Sequence, residues 1–298
     1  MAPRHTILLC IFLVGFASAD FSPNFKSYII TNYGQAMYDS LARNDLGAVG
    51  SYGGGTHDGN SPTRLSQALP GFPDNGYHFS RRAVILVHGI TNNAGNFFGQ
   101  RDALLSDVYL TTYGSGSATV TPAQNVAMDC AFVQQMRNFI KIVAAFTKQP
   151  VDILGYSLGS PIVRKAILGG TCAENSTVNL GAPLTSSVVS YVSIAGANRA
   201  TYLCPFTFPT ACNSVNGLNC KSKFLVNING QIQYEGSYIY SIYGPNDDKV
   251  GYSNIQCATI NSEIDGYYKQ YNNATGNHDA ILSGTINLQI AYLKGGVN

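Results

Sequence analysis

Residues 151–160 read Val-Asp-Ile-Leu-Gly-Tyr-Ser-Leu-Gly-Ser. Val151–Leu154 is a short apolar run suited to a buried strand, and Pro161–Leu168 beyond it has helical character. Between them stands Gly155-Tyr-Ser157-Leu-Gly159, the pattern G-x-S-x-G. A serine on a strained strand-to-helix turn forces the positions two before and two after it together, so both must be nearly free of side chain. Gly155 and Gly159 meet that requirement, which makes Ser157 a candidate nucleophile presented at the end of a strand.

Working outward from this turn, Ala83-Val-Ile-Leu-Val87 is a second buried-strand candidate, closed by His88-Gly89. Further strands are expected at 108–112, 188–194 and 238–243. Helices are expected at 33–43, 99–106, 123–147 and 280–293; the third carries Val126, Phe132, Val133, Met136, Phe139, Ile140 and Val143 at helical spacing. Strands that alternate with helices imply parallel crossovers, hence an α/β fold with a mostly parallel sheet and helices on both faces.

On such a sheet the partners of the serine follow it in the chain, acid first and histidine last. Of the five histidines, His5, His57, His78, His88 and His278, only His278 lies after Ser157. Six acids intervene: Glu174, Glu235, Asp247, Asp248, Glu263 and Asp265. The acid belongs just past a strand, and Gly244-Pro-Asn-Asp247-Asp248 follows the strand ending at Tyr243, which leaves the Asp pair. One carboxylate holds the imidazole; its neighbour is expected to be a solvated turn residue. An oxyanion hole needs two backbone N–H groups. The expected donors are Leu158, next to the serine, and Ile90 in the loop after the 83–87 strand, with His88 bracing that loop.

The chain has 298 residues, 18 basic and 16 acidic, for a net charge of +2, and 45% are apolar. Nothing here favours a nucleic-acid partner, and the profile is that of a packed protein. Residues 1–19 pair Arg4 with an apolar run from Ile7 and a small-residue Ala17-Ser18-Ala19 site, the form of a cleaved secretory signal too short to span a bilayer. No other stretch reads as transmembrane. Residues 20–80 are read as an extended N-terminal arm and 81–298 as the catalytic unit. The run Gly50-Ser-Tyr-Gly-Gly-Gly lacks the GK[ST] of a phosphate cradle and is read as a loop. Past the signal, Cys130, Cys172, Cys204, Cys212, Cys220 and Cys257 form an even set, fitting disulfides in an extracellular protein; fifteen pairings are open. Their spacing matches no metal site, and neither metal nor cofactor is expected. Asn175-Ser-Thr and Asn273-Ala-Thr are glycosylation sequons.

VHGIT at 87–91, VDILGYSLG at 151–159, VSIAGANR at 192–199, SIYGPNDDKVG at 241–251 and NHDAI at 277–281 together resemble the class 2 lipases, secreted nematode enzymes and small bacterial relatives. The resemblance runs over roughly 82–295. It implies an α/β-hydrolase fold, metal-independent hydrolysis of acylglycerols or related esters, the roles given above to Ser157, His278, Leu158 and Ile90, and the first Asp of the pair, Asp247, as the acid. The chain departs from the minimal bacterial form at 200–222, a Cys-rich insertion. With Phe206 and Phe208 on a Pro-flanked loop, it is expected to form a surface excursion beside the site, a candidate cap that binds acyl chain and touches a lipid surface transiently. Two other readings stand beside ester hydrolysis: an acyl-thioesterase or acyltransferase on the same residues, and a non-enzymatic lipid-binding protein.

Overall fold

Branched and aliphatic runs assemble into a single central sheet in the computed structural model, which describes residues 20–54, 82–104, 107–204 and 208–293. Its strands are β1 (Ser51–Tyr52), β2 (Val84–Val87), β3 (Val108–Thr111), β4 (Val151–Tyr156), β5 (Val188–Ile194) and β6 (Tyr238–Ile242); β7 (Ser253–Asn254) and β8 (Thr259–Ile260) form a separate hairpin, and β9 (Lys269–Tyr271) returns to the sheet. The order across the sheet is β1-β3-β2-β4-β5-β6-β9. Every pairing is parallel except β1 with β3. Parallel neighbours require crossovers, supplied by α3 (Phe98–Ala103), α4 (Cys130–Thr147), α5 (Gly159–Leu168) and α6 (Lys223–Asn229).

Alternation along each strand divides the apolar residues between two layers. Ile85, Val87, Tyr109, Ile153 and Tyr191 face a core that holds Phe139 and Val143 of α4 and Ile162, Val163 and Ala166 of α5. Val84, Leu86, Leu110, Leu154 and Val192 face the other, which holds Ile281 and Leu282 of α7 (His278–Gly284) and Tyr292 and Leu293 of α8 (Ile286–Leu293). All of β4 is buried, so its sequence does not alternate apolar with polar; its one charged residue, Asp152, is buried and paired with Arg82 at 3.0 Å.

The N-terminal arm differs from the extended form expected. Residues 20–54 form α1 (Pro23–Tyr33), α2 (Gln35–Ala42) and β1. Phe25, Ile29, Tyr38 and Leu41 are buried in the first core layer, and β1 covers the edge of β3. The described part of the arm, 20–54, therefore packs on the sheet and covers its β3 edge. The expected 33–43 helix is α2, separated from α1 by Gly34 at φ +86°. Likewise the last expected helix is two, α7 and α8, broken at Thr285, while α4 starts only at Cys130 after a short 3-10 turn at 123–125.

The six cysteines among the described residues all pair: Cys130–Cys172, Cys204–Cys212 and Cys220–Cys257. The 200–222 excursion is folded down at both ends. Thr201 Oγ1 donates to Lys249 O and Tyr202 N to Val250 O, while Ala211 N donates to Gln124 O and Met128 N to Asn216 O. It therefore runs from the loop after β6 to the start of α4. Among the described residues no helix is long and apolar enough to cross a membrane. The secretory-signal reading of 1–19 and the Phe206 assignment lie outside the described residues.

Candidate active site

The carboxyl ends of β2, β4, β6 and β9 converge on one spot. Ser157 sits at the end of β4 with φ +55°, a left-handed conformation rare for a residue with a side chain. The turn holds because nothing obstructs it: a Cβ at Gly155 would stand 2.9 Å from Ser160 Cα, and one at Gly159 would stand 2.2 Å from His88 O. A third glycine, unmarked by the motif, is equally constrained. A Cβ on Gly89 would come within 2.8 Å of Ser157 Cβ.

His278 opens α7, whose N-cap Asn277 accepts from Ala280 N. Its Nε2 is 2.9 Å from Ser157 Oγ, and its Nδ1 is 2.8 Å from Asp247 Oδ2. Ser157, His278 and Asp247 are all buried. The other oxygen of Asp247 accepts from Lys249 N at 3.0 Å and Val250 N at 2.8 Å. Burial works against its charge, but the His278 hydrogen bond and these amides outweigh it and hold the carboxyl below its ordinary range. Asp247 is thus ionised at neutral pH, and Nδ1 of His278 carries the proton that it accepts. Asp248 is an exposed turn residue, and its Oδ1 also accepts from the backbone N–H of His278 at 3.0 Å.

The two expected oxyanion donors come from different segments, one beside Ser157 and one beside Gly89. Leu158 is the N-cap residue of α5 and 1% exposed; Ile90 follows Gly89 at the tip of the β2 loop. Among the described residues neither amide has a protein acceptor. Ile90 is half-buried, and an N–H with no protein partner is a donor available to a ligand. The β2 loop is braced as expected: His88 Nδ1 lies 2.8 Å from Gly89 O, its Nε2 accepts from Tyr113 N at 3.0 Å, and its ring stacks on Tyr113 at 4.1 Å. Burial chiefly lowers its pKa to about 4, so the ring is neutral and structural.

Beyond Ile90, on the β2–β3 side, lies a cavity of about 240 Å³ walled by Thr91, Tyr113, Thr121, Val126, Asp129 and Phe132. Asp129 also accepts from Asn216 of the excursion, and burial followed by the charge of Glu174 raises its pKa. Phe208 is half-buried at the excursion's outer turn, and Asn175 and Asn273 are exposed.

The family model for lipase, class 2, matches residues 81–291. Among solved structures, lipase B of Aspergillus fumigatus is 19% identical with a TM-score of 0.51, covering 77% of this chain and 55% of that one. The Bacillus licheniformis lipase BlEst2 in its propeptide form is 11% identical with a TM-score of 0.51, covering 76% and 52%. The chain therefore spans about half the length of these two structures, and the likeness establishes a shared α/β-hydrolase fold. No curated protein sequence matches the chain.

Proposed function

The chain belongs to the class 2 lipase family, and from this premise we propose that it is a secreted serine hydrolase of carboxylic esters, acylglycerols first among them. The observation that carries the reading is the continuous hydrogen-bonded line from Ser157 Oγ through His278 to Asp247, with the two open amides beside it. Ser157 Oγ attacks the ester carbonyl while His278 Nε2 takes its proton. Negative charge gathers on the carbonyl oxygen, where the N–H groups of Leu158 and Ile90 receive it. Asp247 stabilises the imidazolium. The carbon–alkoxy bond then breaks, His278 returns the proton to the departing alcohol, and water, deprotonated by the same imidazole, releases the acid from Ser157.

The order of the strands orients the substrate. His278 and Asp247 stand on the β6–β9 side, so the leaving oxygen, which must meet Nε2, points that way. The acyl group then extends toward β2 and β3, where the cavity lies and where the excursion forms its neighbour. The secretory-signal form of 1–19 and the three disulfides support the secreted part of this reading, in which the exposed Asn175 and Asn273 would serve as glycan acceptors. The rim beside the site would meet a lipid surface only transiently, the net charge being small.

A fluorophosphonate probe tests the reading: it should label the wild type stoichiometrically and Ser157→Ala not at all. Labelling that survives in Ser157→Ala, with the variant folded, would show that the nucleophile lies elsewhere.

A further inference from the structure

Close neighbours of Ser157, Asp247 and His278 converge on a single carboxylate outside the line they form. Tyr156, which precedes Ser157, donates its phenol to Asp279 Oδ1 at 2.7 Å. Lys249, two residues after Asp247, places Nζ 2.9 and 2.7 Å from the two oxygens of the same carboxylate. Asp279 itself follows His278. The elbow, the acid loop and the histidine helix are therefore tied together a second time.

Asp279 gives the buried Tyr156 hydroxyl its acceptor, but folding stability does not account for the Lys249 arm of the node. Lys249 and Asp279 have side chains 53% and 62% exposed, and an ion pair so open to water adds little to stability. What the node does reach is the imidazole. The Tyr156 ring lies 5.0 Å from the His278 ring, at 33° to it, so the phenol that Asp279 holds also sets one wall against which His278 rests. Tyr156 is buried, and burial first, then the Asp279 carboxylate, keep its hydroxyl protonated as a donor. Burial disfavours the charge on Asp279, but the Lys249 and Tyr156 bonds prevail and hold it ionised at neutral pH. Reaction geometry is sensitive here: a misplacement of about 1 Å at a reacting group costs roughly 100-fold in rate.

We propose that Asp279 is a positioning residue, clamping Lys249 and Tyr156 so that His278 Nε2 stays in line with Ser157 Oγ. The proposal rests on the serine-hydrolase reading and adds a residue to it. Asp279 touches no reacting atom; it acts through the three segments it joins.

The test compares wild type with Asp279→Ala, Lys249→Met, their double variant and Tyr156→Phe. It measures kcat and KM on a soluble short-chain ester, the rate of fluorophosphonate labelling, and the dependence of both rates on NaCl between about 0.02 and 1 M. Asp279→Ala should lose about tenfold in kcat and in labelling rate with KM within about twofold. Lys249→Met should lose in the same direction, and the double variant should be no slower than Asp279→Ala, because both remove one interaction. Tyr156→Phe, which keeps the ring, should lose less. Wild-type rates should fall as salt screens the pair, while those of Asp279→Ala and Lys249→Met stay flat; a purely structural role would lower the melting temperature and leave this salt response unmoved. Rates within about twofold of wild type in Asp279→Ala, or fully additive losses, would overturn the clamp. Should Asp279→Ala not fold, a near-native Lys249→Met with salt-independent wild-type rates overturns it equally. Ser157-dependent labelling alongside a native Asp279→Ala would remove the clamp alone, whereas labelling of Ser157→Ala would remove the reading beneath it.

Discussion

Asp247 and Asp248 stand side by side with the same chemistry and serve different atoms of His278. Asp247 accepts from the imidazole and Asp248 from the backbone amide of the same residue. Asn at 247 offers the ring an amide that can hold it in the wrong tautomer and cannot stabilise the imidazolium, whereas Asn at 248 keeps an acceptor oxygen for the amide. Asp247→Asn should therefore lower kcat about 10³–10⁴-fold and Asp248→Asn no more than about threefold, a contrast that kcat values on one soluble ester would settle; equal losses would contradict the pairing. The G-x-S-x-G turn marks Ser157 in the sequence, and chain order marks His278 as the one histidine after it; the structure brings the two within 2.9 Å. The residues alone do not separate the acid from its neighbour, since both follow the same strand; only the family resemblance points to Asp247. The roles of Asp248, Gly89 and Asp279 had no local signal: each depends on a group 30 or more residues away in the chain.

At the scale of elements, periodicity found what is buried on a regular face. β5 runs from Val188 to Ile194 as expected, and α5 follows the elbow directly. It failed where burial is one-sided or brief. β9 is three residues, Lys269–Tyr271, on an edge with no apolar pattern. α1 does carry a start signal, Ser22 capping Phe25 N before Pro23 at the first turn, but it buries only Phe25 and Ile29. The excursion was legible as cysteine-rich, yet six cysteines admit fifteen pairings and only the fold selects among them. Its contact with Asp129 places it beside the cavity, and a chain-length profile tests that placement. Val126→Phe, which fills the cavity, should cut kcat/KM on longer acyl esters at least about tenfold relative to short ones, and Phe208→Ser should act in the same direction more weakly. Unchanged chain-length selectivity in both folded variants would move the acyl group out of this cavity.

Across the whole molecule, a sheet buried on both faces fixes the catalytic edge as a rigid body, and the bracing of that edge has a measurable pH signature. His88 ordinarily titrates near 6.5 but is held to about 4 by burial. Between those values the unfolded chain takes up a proton that the folded chain refuses, so stability falls as pH drops from 6.5 to 4, by about 3 kcal/mol at most. Denaturant titrations should show the wild type's advantage over His88→Gln shrinking across this window; a constant advantage would mean that His88 is not the buried neutral brace described. The disulfides act over the same scale. Cys130–Cys172, with a separation of 42 residues, ties the start of α4 to the segment after α5, a closure worth about 4 kcal/mol in the chain-entropy account. Central to the whole account is an acyl-enzyme on Ser157. Quenching the protein during turnover of a slowly deacylating ester, followed by intact-mass and peptide analysis, should reveal one acyl group on the peptide containing Ser157, absent from Ser157→Ala. Turnover without that adduct, or an adduct on another residue, would contradict it.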